Sequence, residues 1–336
     1  MKRLFILMLI LVGSAYSDFE FPKVHTGISL DGKAYFGKNS NKENYDFTNR
    51  FQVRKATLSL NGVLEKNFSY EAEFGVSTCV GSTDQMKLIE AEITYNFSDE
   101  HSISFRKGHM MQSFVSVTGC DKRMSPEKPT FVKSFSTCHP FGVAINSEFM
   151  ITDDFMIETE VSLANGPSET LNDENEINLG VLARTPIDGL SLIGSYNLTR
   201  KSYYDENYEQ YNRTGYRAIG GLNYENFNFW FTGEYFMGEG FTTDKHEMNA
   251  VYTQLGYNFK FKNSFIESIL PFVKYEIWDK DIDSDTDQKF ENIQGGLNIS
   301  VSSKTMLRFV YTKEINRGVG AVKTPEELMA RVQFNF

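Results

Sequence analysis

The chain has 336 residues, with Phe 29 and Tyr 17 against Trp 2 and Pro 8, a formal charge of −10 and a mean hydropathy of −0.37. The acidic balance excludes nucleic acid as a partner, since phosphates demand a basic face. Past the first residues no apolar run reaches the ~20 residues of a membrane helix, and many aromatics with few breakers point to a large β protein.

The start, MKRLFILMLILVGSAYS, combines Lys2 and Arg3 with an apolar run from Leu4 to Val12 and the small residues Ala15 and Ser17. It predicts a secretory signal over residues 1–17, cut before Asp18, and a mature chain of residues 18–336 beyond the inner membrane.

From there most segments repeat one pattern: roughly ten residues of alternation, the length that crosses a bilayer at a tilt, then a break. In NFSYEAEFGV, Phe68, Tyr70, Ala72, Phe74 and Val76 share one face and Glu71 and Glu73 the other. KLIEAEITYNF sets Ile89, Ala91, Ile93, Tyr95 and Phe97 against Glu90, Glu92 and Thr94, and DFMIETEVSL sets Phe155, Ile157, Val161 and Leu163 against Glu158 and Glu160. NFNFWFTGEYFM sets Phe227, Phe229, Phe231 and Tyr235 against Asn228, Thr232 and Glu234. One face is apolar and the other charged.

Short breaks near 64–67, 98–101, 151–154, 186–189, 225–226, 262–267 and 301–304 alternate with long ones near 38–47, 78–85, 110–138, 165–175, 200–212, 239–245, 280–288 and 317–324. Short turns on one rim and long loops on the other predict a transmembrane antiparallel up-and-down β-barrel of about 16 strands, with periplasmic turns and extracellular loops, in the bacterial outer membrane. Closure removes the unpaired edges of so long a sheet, and a barrel of this size encloses water.

With the apolar parity toward lipid, the other parity lines the lumen. Its acids are Glu71, Glu73, Glu90, Glu92, Glu158, Glu160, Glu234 and Glu276, and its bases Arg106, Arg184, Arg217, Lys274, Arg308 and Arg331. The acids gather on early strands and the bases mostly on later ones, which would set a transverse field. The longest break, 110–138, carries Lys122, Arg123, Lys128 and Lys133 against Asp121 and Glu127. A loop of this length is usually functional; folded into the lumen, it would form a cationic constriction. As an outer loop, it would carry ordinary surface lysines.

The stretches FQVRKATLSLNGVLEKNFSYEAEFGV, KLIEAEITYNFSDEHSISFRKGHM, TFVKSFSTCHPFGVAINSEF and DFMIETEVSLANG, within about residues 48 to 170, resemble the phosphate-selective porin O/P family. The resemblance implies a sixteen-stranded barrel, commonly a homotrimer, passing anions or polyphosphate through a constriction of basic residues. Lys122, Arg123, Lys128 and Lys133 are the equivalent region in this chain. The wealth of lumen carboxylates and the acidic net charge depart from that pattern.

Cys120 and Cys138 bracket most of the loop and are candidates for a disulfide, with Cys79 as the odd one. The histidines His25, His101, His109, His139 and His246 form neither HxxxH nor HExxH, and Ser104 near His109 is the nearest approach to a hydrolytic pair. No enzyme, cofactor or metal is expected. DKDIDSDTDQ lacks the Gly and the Glu of a calcium loop and reads as a solvated acidic tip.

The ending RVQFNF alternates to the last residue, and Phe334 and Phe336 resemble the C-terminal signal read by the barrel assembly machinery. The expected function is passive diffusion of small hydrophilic solutes, anions including phosphate foremost, with lipid and lipopolysaccharide around the barrel. The alternative is a plugged structural or adhesive barrel acting through long loops such as KSYYDENYEQYNR.

Overall fold

The computed structural model describes residues 22–38, 45–77, 82–119, 122–135, 139–165, 175–204, 210–239, 246–262, 265–284, 289–316 and 326–335. The expected signal at 1–17, the three cysteines and Phe336 lie outside them, as does the side chain of Lys133.

The strands are β1 (Lys23–Lys38), β2 (Tyr45–Glu65), β3 (Phe68–Ser77), β4 (Ser82–Asn96), β5 (His101–Lys107), β6 (Phe141–Thr152), β7 (Phe155–Asn165), β8 (Asn175–Arg184) and β9 (Leu190–Tyr204). They continue as β10 (Gln210–Asn226), β11 (Phe229–Glu239), β12 (Glu247–Tyr257), β13 (Phe259–Lys260), β14 (Ser268–Asp279), β15 (Lys289–Ser302), β16 (Thr305–Asn316) and β17 (Glu326–Asn335). Two single-turn helices, α1 (Phe114–Val117) and α2 (Val132–Phe135), stand between β5 and β6.

Each strand pairs antiparallel with its neighbours in sequence, and β1 pairs with both β2 and β17, so the sheet closes. Both β12 and β13 lie on β14, separated at Asn258, and form one stave. The barrel therefore has sixteen staves, as the spacing of the breaks predicts. No helix among the described residues is long and apolar enough to cross a membrane; here the strands cross it.

The alternation sorts side chains as a lipid-immersed barrel requires. Val161, Leu163, Ile177, Leu179 and Val181 face outward and are exposed, while Glu160, Ser162, Glu176 and Asn178 between them are buried. Outward rings mark both rims of the apolar band. Phe68 and Tyr95, and Tyr257 and Phe259, pack 4.6 and 4.8 Å apart at the short-turn end. Tyr196 and Tyr216 stack at 6.3 Å toward the other end.

Two local readings are corrected. Ile89 is 2 % exposed and faces the interior, because a bulge makes Glu73 oppose Glu90 while Phe74 opposes Leu88. The extra residue reverses the parity of β4 above it, so Leu88 and Met86 take the lipid face. The break at 225–226 falls two residues later, at Phe227 and Asn228, whose φ of 48° and 68° give the left-handed pair of a tight hairpin turn. Phe227 therefore belongs to the turn and not to a strand face.

Candidate functional site: a loop across the barrel interior

The segment between β5 and β6 packs on the inward face of the wall. Its start is ordered locally: Ser113 Oγ accepts from Ser116 N at 3.1 Å and Ser116 Oγ accepts from Ser113 N at 2.8 Å, a reciprocal cap on α1. The wall then satisfies the backbone that this single turn leaves open. Met111 N donates to Glu160 at 3.0 Å, Phe114 N to Glu234 at 2.5 Å and Thr130 N to Glu276 at 3.1 Å. Gln112 Nε2 donates to Glu176 at 2.7 Å, and Ser195 Oγ to Gln112 O at 2.7 Å. At Gly180 of β8 a methyl group would collide with the Met111 carbonyl, so the missing side chain lets the loop lie against the wall.

Apolar contacts hold the middle. Phe131 and Phe135 are fully buried with Phe236 and Tyr252 of the wall, and Val115 and Val132 complete the cluster. The Phe131 and Phe236 rings meet edge to face at 4.9 Å. Further on, Met124 joins Leu270, Phe272, Val310 and Met329.

The stretch from Arg123 to Glu127 lies against the basic arc of β14 to β17 and β1. Arg308 Nη1 donates to Arg123 O at 2.9 Å, Arg331 Nη1 to Pro126 O at 3.0 Å and Lys274 Nζ to Glu127 O at 3.4 Å. The Glu127 carboxylate sits 2.8 Å from Arg331, 3.7 Å from Lys33 and 3.7 Å from Arg54. Burial alone would raise its pKa, but Arg54, Lys33, Arg331 and Lys274 outweigh that and hold it below the usual carboxylate value.

On the opposite arc the carboxylates crowd: Glu71 faces Glu92 and Glu73 faces Glu90 across β3 and β4. Lys55 reaches Glu73 at 2.9 Å, and Arg106 reaches Glu160 at 2.5 Å. The loop's two ends meet beside them, where Gly108 N donates to Pro140 O at 3.2 Å. His109 and His139 flank that junction and both approach Glu90. Burial first, and then His139, press the His109 pKa down to about 3.

Two cavities among the described residues flank the loop. One of about 630 Å³ is lined by Lys122, Arg123, Lys274 and Arg308 with Glu127 and Glu225. The other, of about 460 Å³, is lined by Glu73, Glu90 and Glu160 with Lys55 and Arg106.

Among the residues singled out from sequence, Glu160, Glu234, Glu276, Lys274, Arg308 and Arg331 converge on the loop. Arg217 lies 1 % exposed and donates to Asn197 at 3.3 Å, and Asn197 in turn donates to Glu176, which holds Gln112 of the loop. Arg184 pairs with Glu158 at 2.8 Å, its side chain 60 % exposed near the short-turn rim. Of the loop bases, Lys122 is exposed and Lys128 half-buried, while Arg123 is buried and donates to Val115 O at 2.7 Å. Sequence reading passed over Asp31, Lys33, Arg54, Lys55 and Glu176. The alternation of β1 could have found Asp31 and Lys33; Arg54 needed the bulge that sets Ser29 opposite Lys55 and Leu30 opposite Val53.

A closed sixteen-stave barrel with lipid-facing apolar residues, a polar interior and a loop laid across it has the architecture of an outer-membrane porin. Residues 24–150 match the family model described as phosphate-selective porin O and P, which upholds the resemblance read from the sequence, begins it earlier, in β1, and ends it at Met150, before DFMIETEVSLANG. Curated protein sequences contain no match to the chain.

Solved porins share the fold. Salmonella typhi OmpF, in complex with daunomycin, has a TM-score of 0.65 at 13 % identity, covering 96 % of this chain and 99 % of its own. The anion-selective porin of Comamonas acidovorans has 0.63 at 11 %, covering 94 % and 99 %. The trimer form of Vibrio cholerae OmpT has 0.59 at 10 %, covering 94 % and 100 %.

Proposed function

We propose that this barrel is a loop-narrowed channel for passive diffusion of small hydrophilic solutes that prefers anions, phosphate among them. The observation that carries the reading is the seat of Glu127, where Lys33, Arg54 and Arg331 converge on one carboxylate of the loop while Lys33 and Arg331 also hold Glu327 and Asp31 of the wall. Such a cluster suits any compact anion, because several donors together replace the hydration shell it loses. Lys122, Arg123, Lys128 and Lys133 are the proposed constriction cations of the loop. The bases of β14 to β17, with Lys33 and Arg54, continue the path along the wall. The matched family description and the anion-selective structural relative support the same preference.

The proposal includes a signal removed after Ser17, a homotrimer like the OmpT trimer form, and insertion by the barrel assembly machinery among lipid and lipopolysaccharide. Phe334 and Phe336 serve as the assembly signal. Transport needs no bond to be made or broken, so the protein is proposed to have no enzymatic activity.

Reversal potentials of the purified protein in a planar bilayer, under a salt gradient with and without phosphate, test this. Anion-selective steps blocked by phosphate are expected. Cation-selective steps would mean that the carboxylates of β3 and β4 dominate. The two apolar clusters that pin the loop favour one other reading, a plugged adhesive barrel, and absence of conductance would support it.

A further inference from the structure

His109 and His139 are 30 positions apart in sequence, too far for any short metal motif, yet the fold sets their rings 4.4 Å apart, tilted at 48° to each other. One follows β5 and the other precedes β6, so they stand at the two ends of the loop. Their Nε2 atoms lie 3.6 Å and 2.9 Å from the same oxygen of Glu90 on β4. One ligand atom from each of the three residues falls within 4.8 Å of the other two.

Tetrahedral coordination at ~2.0–2.2 Å places ligand atoms roughly 3.4 Å apart. The two histidine-to-carboxylate separations are therefore near the spacing a first-row divalent ion requires, and the two imidazoles, whose ligand atoms lie within 4.8 Å of each other, would close on it by side-chain rotation. Two imidazoles and one carboxylate form a nitrogen and oxygen set that suits zinc, with copper or nickel as competitors. The three side chains line the cavity of about 460 Å³, which leaves room for a water in a fourth position. Glu73 and Glu160 line the same cavity but are paired with Lys55 and Arg106, so the pull on a cation there comes from Glu90 itself.

We infer that Glu90, His109 and His139 form a divalent transition-metal site, with zinc the best-suited ion, at the neck of the loop. The ion would tie both ends of the loop to β4 and so fix its position in the interior. It would also add two positive charges to the arc where Glu71, Glu73, Glu90 and Glu92 oppose one another. Zinc in the bath should thus move the channel's selectivity toward anions. Its three ligands are none of the residues of the proposed anion seat, so failure of either reading leaves the other standing.

The test uses the full mature protein in detergent, stripped with a chelator and titrated with zinc by calorimetry and equilibrium dialysis. The expected result is one zinc per chain, lost or weakened more than about tenfold in H109A and in H139A. Glu90→Gln keeps the side chain's shape and guards against misfolding; it should weaken zinc as well. Heat-modifiable migration in gels confirms that each variant is a folded barrel. A cobalt spectrum without thiolate charge-transfer bands is expected, since no sulfur is among the ligands. No zinc binding by the parent protein, or binding that survives in folded H109A and H139A, overturns the inference and leaves an ordinary histidine–carboxylate contact.

Discussion

Arg331 and Asp31 stand 300 positions apart and close the barrel with a two-pronged ion pair, Nε to Oδ1 at 2.5 Å and Nη2 to Oδ2 at 2.9 Å. They face each other directly in the register of β17 on β1. Both side chains are almost wholly buried, at 4 % and 0 % exposure. The same guanidinium also holds Pro126 O and Glu127, so one residue links the seam to the loop.

Removing one partner of such a pair should therefore be costly, because the other charge stays buried. Arg331→Met is expected to destabilise the barrel by roughly 3–5 kcal/mol, with the double variant that adds Asp31→Asn recovering much of the loss. The temperature at which the folded band converts to the unfolded band in gel migration measures this. Equal temperatures for parent and R331M would show that the seam does not depend on the pair.

Glu127 occupies its cationic seat as a tethered anion. Neutralising it removes one negative charge from beside Lys33, Arg54 and Arg331, while Lys33 keeps Glu327 and Arg331 keeps Asp31, and so should ease the approach of a mobile one. Glu127→Gln is expected to strengthen phosphate block by about fivefold, the effect of a partly screened charge interaction near 1 kcal/mol. Concentration dependence of phosphate block in bilayer recordings is the measurement. Unchanged block would place the anion path elsewhere.

The same carboxylate sets a pH dependence. Its pKa lies below the ordinary 4.5 in the folded protein, so the stabilisation it lends the loop is complete above that value. It is lost as pH falls through the lower, folded value. Glu127's contribution to conductance and loop protection should be constant from neutral pH down to the ordinary carboxylate range, and change only in more acid solution. In Glu127→Gln that acid step should be missing. A step near neutral pH in the parent would point to a different group.

The staves were readable because a barrel wall exposes its grammar residue by residue, apolar toward lipid and polar toward the interior. Val161, Glu160 and their neighbours needed no knowledge of partners. Ile89 was misread because one bulge reverses parity without any sign in composition. Asp31 and Arg331 could be placed on inward faces by parity, but their contact depends on closure between the two ends of the chain. The loop has no period, so Glu127 counted only as an offset among lysines. Its encirclement by three cations exists only once β1, β2 and β17 are side by side.

Lys122 and Arg123, adjacent in sequence, should differ in consequence. Lys122 is exposed at the larger cavity, and Lys122→Gln should shift the reversal potential toward cations with thermal stability unchanged. Arg123 donates to Val115 O from a buried position, so Arg123→Ala should loosen the loop and destabilise the barrel by about 1–3 kcal/mol. Replacing Lys122, Arg123, Lys128 and Lys133 together should weaken anion preference more than either change alone. The paired readouts, potential and unfolding temperature, separate the two roles.

Phe131, packed on Phe135 of the same loop, anchors it to the wall through Phe236 and Tyr252 and has no exposed surface. Phe131→Ala removes a ring from a packed cluster, a change that commonly costs ~3–5 kcal/mol. The sixteen staves do not need this cluster to pair, so the loss should fall on the loop and not on the wall. The variant should insert and migrate as a folded barrel, but with larger and noisier single-channel steps, because the segment that narrows the interior is less firmly held. Protease cleavage within residues 122–135 should rise in parallel. Conductance equal to the parent, with cleavage unchanged, would mean that the hydrogen bonds to Glu160, Glu234 and Glu276 suffice to hold the loop in place.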